Sequence, residues 1–181
     1  MNIIETAIPG VLIIEPRVFG DDRGFFMESW NQRTFEAAGL EIDFVQDNHS
    51  RPSRGVLRGL HYQSPGPQGK LVRVTAGAVF DVAVDMRRSS PSFGKWVGVE
   101  LSAANKRMLW VPEGMAHGFL CLEDNTDFLY KCRGSYDPAN EHSLLWNDPV
   151  IGIDWPLDGI TPQLAAKDMA GKPLADAVTF A

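Results

Sequence analysis

Short runs of alternating apolar and polar residues, cut at regular intervals by turn-forming residues, constrain this chain more than any other feature. In Val79-Phe-Asp-Val-Ala-Val-Asp85, Phe80, Val82 and Val84 alternate with Asp81, Ala83 and Asp85. A period of two fits a strand and not an amphipathic helix, and it predicts a half-buried strand here. Comparable strand candidates are Val11–Ile14, Phe25–Trp30, the stretch from Phe44 onward, Val56–Gln63, Lys70–Thr75 and Trp96–Leu101. Asp21-Asp-Arg-Gly24, Gly77, Ser89–Gly94 and Ala103–Lys106 supply breaks between them. Strands spaced about 8–12 residues apart with turns between them indicate a sandwich or barrel. One helix is predicted over Asn31–Ala38, with Asn31 as its cap, Phe35 and Ala38 facing inward and Gly39 ending it. A doubly wound fold would need many more helices. The Pro- and Trp-rich last third, including Trp146-Asn-Asp-Pro149 and Trp155-Pro156, is expected to wrap the barrel as irregular structure.

At 181 residues, 44% of them hydrophobic, the chain is long enough to bury a core as one domain spanning residues 1–181. A net charge of −6 argues against a general nucleic-acid or acidic-membrane binder. It leaves open an anionic small molecule held by local cations. The N-terminal Met-Asn-Ile-Ile-Glu has neither a basic segment nor a long apolar one, and no run approaches membrane-spanning length. The expected location is the cytoplasm. Cys121 and Cys132 lack CxxC spacing and read as reduced, partly buried residues.

Chemistry concentrates in Gly55-Val-Leu-Arg-Gly-Leu-His-Tyr-Gln63, followed by Lys70. Arg58 and His61 are three apart and would face opposite ways in a regular ladder, so Gly59 between them is a candidate bulge. Two readings stand at this point: proton chemistry on an anionic substrate, or a strand with a satisfied core histidine. His49 and His142 read as exposed or turn-bonded. Pro112-Glu-Gly-Met-Ala-His-Gly-Phe119 has the Pro-x-Gly-x-x-His form of the second cupin motif. Metal-binding cupins need an His-x-His pair in the first motif, and here that motif offers His61 alone. His61 and His117 are too few ligands, so no metal is expected. The expected fold is all-β, a cupin-type double-sheet jelly-roll barrel with a few short helices.

The ordered set of Gly55–Gln63, Lys70–Val74, Asp81–Asp85, Ser90–Gly94 and Pro112–Phe119 resembles the dTDP-4-dehydrorhamnose 3,5-epimerase family. Asp22–Phe25, Glu28, Gln46–Asn48, Tyr130, Tyr136–Pro138, Glu141, Trp146–Pro149 and Lys167-Asp168 extend the likeness over about residues 3–170. It implies cofactor-free inversion at C3 and C5 of a 4-keto sugar nucleotide. By family position His61 is the base, oriented by Asp168, while Lys70 stabilises the enolate oxygen and Tyr130 is the acid. Arg23 and Arg58 are matched to the diphosphate, and Phe25, Glu28, Gln46, Asn48, His117, Glu141 and Lys167 to other parts of the substrate. The resemblance also implies a homodimer in which Arg23–Glu28 completes the neighbouring subunit's site. Met115, Ala165 and Lys131-Cys-Arg-Gly134 depart from the family pattern. Single epimerisation or ketoisomerisation by a related cupin, and a non-catalytic or metal-binding cupin module, are the competing readings.

Overall fold

The computed structural model describes residues 1–181. The strands are β1 (Asn2–Glu5), β2 (Leu12–Glu15), β3 (Val18–Asp21), β4 (Gly24–Met27), β5 (Gln46–Ser50), β6 (Leu57–Gln63) and β7 (Gly69–Ala76). They continue as β8 (Ala78–Asp85), β9 (Trp96–Ser102), β10 (Met108–Val111), β11 (Met115–Cys121), β12 (Asp127–Arg133) and β13 (Glu141–Ser143). Only α1 (Gln32–Glu36) and α2 (Ala166–Met169) are α-helical. A six-stranded sheet runs β1-β2-β10-β7-β12-β5, and a five-stranded sheet runs β13-β6-β11-β8-β9. Strands β3 and β4 form a separate hairpin. This is the double-sheet barrel expected from the strand spacing, in the jelly-roll form expected from the cupin motif at Pro112–Phe119.

The two large sheets face each other across one core. Val72, Val74 and Phe128 from the first meet Val79, Ala83, Met115 and Phe119 from the second. Phe119 and Phe128 stack with ring centroids 4.2 Å apart. A second core lies on the outer side of the five-stranded sheet, where Leu57, Leu60, Val82, Val84 and Leu120 pack under Leu144, Ile151, Trp155 and Ala177. The irregular C-terminal third therefore does wrap the barrel, and the Trp155 indole donates to the Trp146 carbonyl at 2.9 Å. A third core sets Ile14, Leu71, Met108 and Trp110 beneath Phe35 and Ile42.

Strand β8 corrects the half-buried expectation. All its residues but Phe80 are buried, because both sides of its sheet are covered. Its polar set, Asp81 and Asp85, shares the inward face with Val79 and Ala83, while Val82 and Val84 pack outward under the C-terminal wrap. Helix α1 is shorter than expected: Asn31 caps it by accepting from the Thr34 N–H, and Phe35 is buried, but Ala38 is exposed. Both cysteines are free and buried. No helix is long and apolar enough to cross a membrane.

Candidate active site

The position of the site follows from one irregularity in β6. Opposite it, β11 pairs Leu120 with Leu57, Phe119 with Arg58 and His117 with His61, so Gly118 alone faces both Gly59 and Leu60. Two residues against one is a bulge, and it puts Arg58 and His61 on the same, inward face. Both backbones must be bare for the strands to approach. A Cβ on Gly59, whose φ is +118°, would lie 2.6 Å from Gly118 Cα, and one on Gly118 would lie 2.4 Å from the Arg58 carbonyl oxygen. The bulge expected at Gly59 is thus present.

Between the sheets opens a cavity of about 670 Å³. Strand β6 contributes Arg58, His61 and Gln63, while Lys70 of β7 and Tyr130 and Cys132 of β12 come from the opposite wall. Gln46 and Asn48 of β5 and Glu141, Lys167 and Asp168 complete the lining. His61 Nε2 meets Asp168 Oδ1 at 2.6 Å, with the Asp168 side chain 1% exposed. Asp168 also accepts from the backbone N–H of Gly59 at 3.2 Å and of Ala165 at 3.2 Å. Burial alone would raise the Asp168 carboxyl, but the bonds from His61, Gly59 and Ala165 outweigh it and hold it below its ordinary value. An ionised Asp168 can only accept, so His61 Nε2 carries the proton and Nδ1 keeps a lone pair.

The opposite wall is electrostatically different. Burial pushes the Tyr130 phenol up and the Lys70 ammonium down. Lys167 meets both Glu141 oxygens at 3.1 and 3.2 Å, and Tyr136 donates to Glu141 at 3.3 Å. Gln46 bonds Asn48 Oδ1 at 3.0 Å and accepts from the Tyr136 N–H.

Four of the residues singled out from sequence do not line this cavity. Arg23, Phe25 and Glu28 sit on or beside the β3–β4 hairpin. There Arg23 pairs with Asp21, Lys106 lies 4.5 Å over the Phe25 ring, and Glu28 bonds Asn31 and Thr34. His117 lies behind the cavity lining with Nε2 2.9 Å from Asp81 Oδ1. His49 bonds Asp127 at 2.9 Å, and His142 bonds the Ser64 carbonyl at 3.1 Å. No three His, Cys, Asp or Glu side chains gather as a metal site. Asp81, Gln63 and Cys132 were not singled out as site residues. Gln63 braces the rim by donating to the Gly66 carbonyl at 2.8 Å and accepting from the Asp137 N–H at 3.0 Å. The inward parity of β6 and β12 carries the signal for Gln63 and Cys132.

Fold and cavity together define a cupin-type jelly roll equipped for proton transfer at carbon: a histidine–carboxylate dyad, a phenol on the facing wall and a half-buried ammonium. The family model for dTDP-4-dehydrorhamnose 3,5-epimerase matches residues 5–176. The chain is 59% identical to the dTDP-4-dehydrorhamnose 3,5-epimerase of Shigella flexneri over 182 residues, covering 99% of each. It is also 59% identical to that of Pseudomonas aeruginosa over 181 residues, again covering 99% of each. The crystal structure of the Legionella pneumophila dTDP-6-deoxy-D-glucose-3,5-epimerase with dTDP-4-keto-L-rhamnose superimposes with a TM-score of 0.94 at 54% identity. That match covers 98% of this chain and 94% of the other. The chain belongs to the dTDP-4-dehydrorhamnose 3,5-epimerase family.

Proposed function

We propose that this chain, acting as one domain in the cytoplasm, converts dTDP-4-dehydro-6-deoxy-D-glucose to dTDP-4-dehydro-L-rhamnose in dTDP-L-rhamnose biosynthesis. No cofactor or metal enters the mechanism. The observation that carries this reading is the placement of His61 and Tyr130 on opposite sheets lining one cavity. Carbons 3 and 5 of the substrate both lie α to the C4 carbonyl. His61 Nδ1 takes the proton from one of them, and the electron pair passes to the C4 oxygen as an enolate. Asp168 holds the imidazolium that forms. The Lys70 ammonium offsets the charge on the enolate oxygen. Tyr130 then donates its proton from the other wall, so the carbon is inverted; His61 releases its proton to solvent, the Tyr130 phenolate takes one back, and the cycle repeats at the second carbon.

Arg58 is the guanidinium in the cavity lining, and its planar fork suits the diphosphate. Gln46, Asn48, Glu141 and Lys167 line the same cavity and serve the remaining substrate contacts. His117 is set one layer behind it. Phe19, Phe25 and Phe26 on the hairpin are 51%, 62% and 69% exposed, an apolar surface of the kind that marks an interface. In a homodimer this hairpin would carry Arg23, Phe25 and Glu28 to the other subunit's cavity.

Incubation with the 4-keto sugar nucleotide in heavy water, read by mass and proton NMR, tests the reading. Two deuterons, at C3 and C5, and doubly inverted product are expected, with turnover unchanged by a chelator. One deuteron with one inverted centre makes the chain a single epimerase instead. No exchange at either carbon removes the enzymatic reading.

A further inference from the structure

A second histidine–carboxylate pair lies inside the same barrel and has no part in the mechanism above. His117 is the cross-strand partner of His61, so the two imidazoles project from one face of the sheet. His117 Nε2 meets Asp81 Oδ1 at 2.9 Å, and the Asp81 side chain is wholly buried. The other carboxylate oxygen, Oδ2, is buried without any hydrogen-bond partner. An ionised oxygen left so needs a nearby positive charge to offset its lost hydration.

Lys70 has the complementary deficit. It makes no hydrogen bond or ion pair, and burial pushes its ammonium down. The groups that bear on it are Cys132 on β12, Asp81 on β8, Glu141 on β13 and, with the opposite sign, Lys167 on α2. Burial raises the Cys132 thiol, so it is uncharged near neutrality. Glu141 is committed to Lys167 through both oxygens. Asp81 is the anion that remains, with an oxygen to spare. The influence is mutual: burial pushes the Asp81 carboxyl up, while His117 and Lys70 pull it back down.

We propose that Asp81 is a positioning residue for the epimerisation. Anchored through His117, it serves as the buried counter-charge that keeps Lys70 an ammonium facing the substrate's carbonyl oxygen. The role assigned to Lys70 rests on the function proposed above, whereas the charge coupling does not. Tyr130, on β12 beside Cys132, faces the same space as an uncharged phenol at neutral pH.

The test is an NMR titration of Lys70 Cε and Asp81 Cγ in the intact protein, beside kcat/KM against pH. In the wild type the Asp81 signal should show an inflection at the pH where Lys70 titrates, since interacting sites report one another. In Asp81→Asn the Lys70 titration should move down by about one pH unit or more, and the alkaline limb of kcat/KM should move with it. A merely structural aspartate would leave that limb in place. An Asp81 signal blind to Lys70 in the wild type overturns the proposal even if Asp81→Asn does not fold, as does an unmoved Lys70 titration in a folded variant. Coupled titrations in a protein without epimerase activity would uphold the Asp81–Lys70 pairing and overturn the function proposed above.

Discussion

The barrel holds two histidine–aspartate pairs with the same atoms at similar distances, yet their carboxyls are shifted in opposite directions. Asp168 receives three donors, from His61, Gly59 and Ala165, and sits below its ordinary carboxyl value. Asp81 receives one, has an oxygen bare, and sits above it. His61 remains 18% exposed at its side chain, against 8% for His117. The contrast shows that a His–Asp bond does not by itself mark a base. What distinguishes the pairs is how completely the carboxylate is solvated by protein donors, and whether the second imidazole nitrogen can reach the cavity.

The comparison breaks most sharply at the imidazoles. His61→Asn should abolish deuterium exchange at both sugar carbons, a loss of at least the roughly 10²–10⁴-fold that general base catalysis supplies. His117→Asn should lose a smaller factor and still exchange. Equal losses in two folded variants, measured by solvent-deuterium incorporation, would mean that the pairs are not functionally distinct. A second, smaller effect is expected on the facing wall. Tyr130→Phe removes the proton donor but not the base, so substrate protons should still exchange while doubly inverted product falls. Inversion at near wild-type rate would make Tyr130 structural and shift the acid role to Tyr136 or a water.

The smallest effects lie in pH-dependent stability, and their signs are opposite. The folded carboxyl of Asp168 titrates below its unfolded value of about 3.9. Its stabilisation is therefore present above that value and lost as pH falls through the folded one. Asp168→Asn should cost about 1–3 kcal/mol near neutrality and progressively less below about pH 4. Asp81 titrates above its unfolded value, so its contribution is fullest in acid and lost as pH rises through the folded value. Asp81→Asn should compare best with wild type near neutrality and worst in acid. Thermal melts of both variants from pH 3 to pH 8 read the two slopes, and parallel slopes would contradict the contrast.

The barrel was legible in the sequence because its strands are short, alternating and punctuated by turns. The same rule misread which side of β8 faces in. An apolar row ordinarily points to the core, but here Val82 and Val84 meet the C-terminal wrap and the polar row enters the barrel. That inversion sets Asp81, on the polar row, inside the barrel. His61, Lys70, Tyr130 and Asp168 were legible as an ordered motif, while their meeting depends on pairings across 60 to 110 residues of chain that no local pattern encodes. Strand β3 escaped because Val18-Phe-Gly-Asp21 has no buried side, all four residues being exposed. Arg23, Phe25 and Glu28 lie on or next to that same hairpin, outside the cavity.

The extra residue in β6 means that Arg58 and His61 lie in different reading frames of one strand. Pair Gly59 and Leu60 singly, with no bulge, and strict alternation would send either Arg58 or His61 out of the interior into the layer beneath the C-terminal wrap. No functional side chain would have been altered, yet the cavity would lose either its guanidinium or its imidazole. Point substitutions elsewhere in β6 can tune this site gradually, whereas a one-residue slip of register at the bulge would turn half of it inside out.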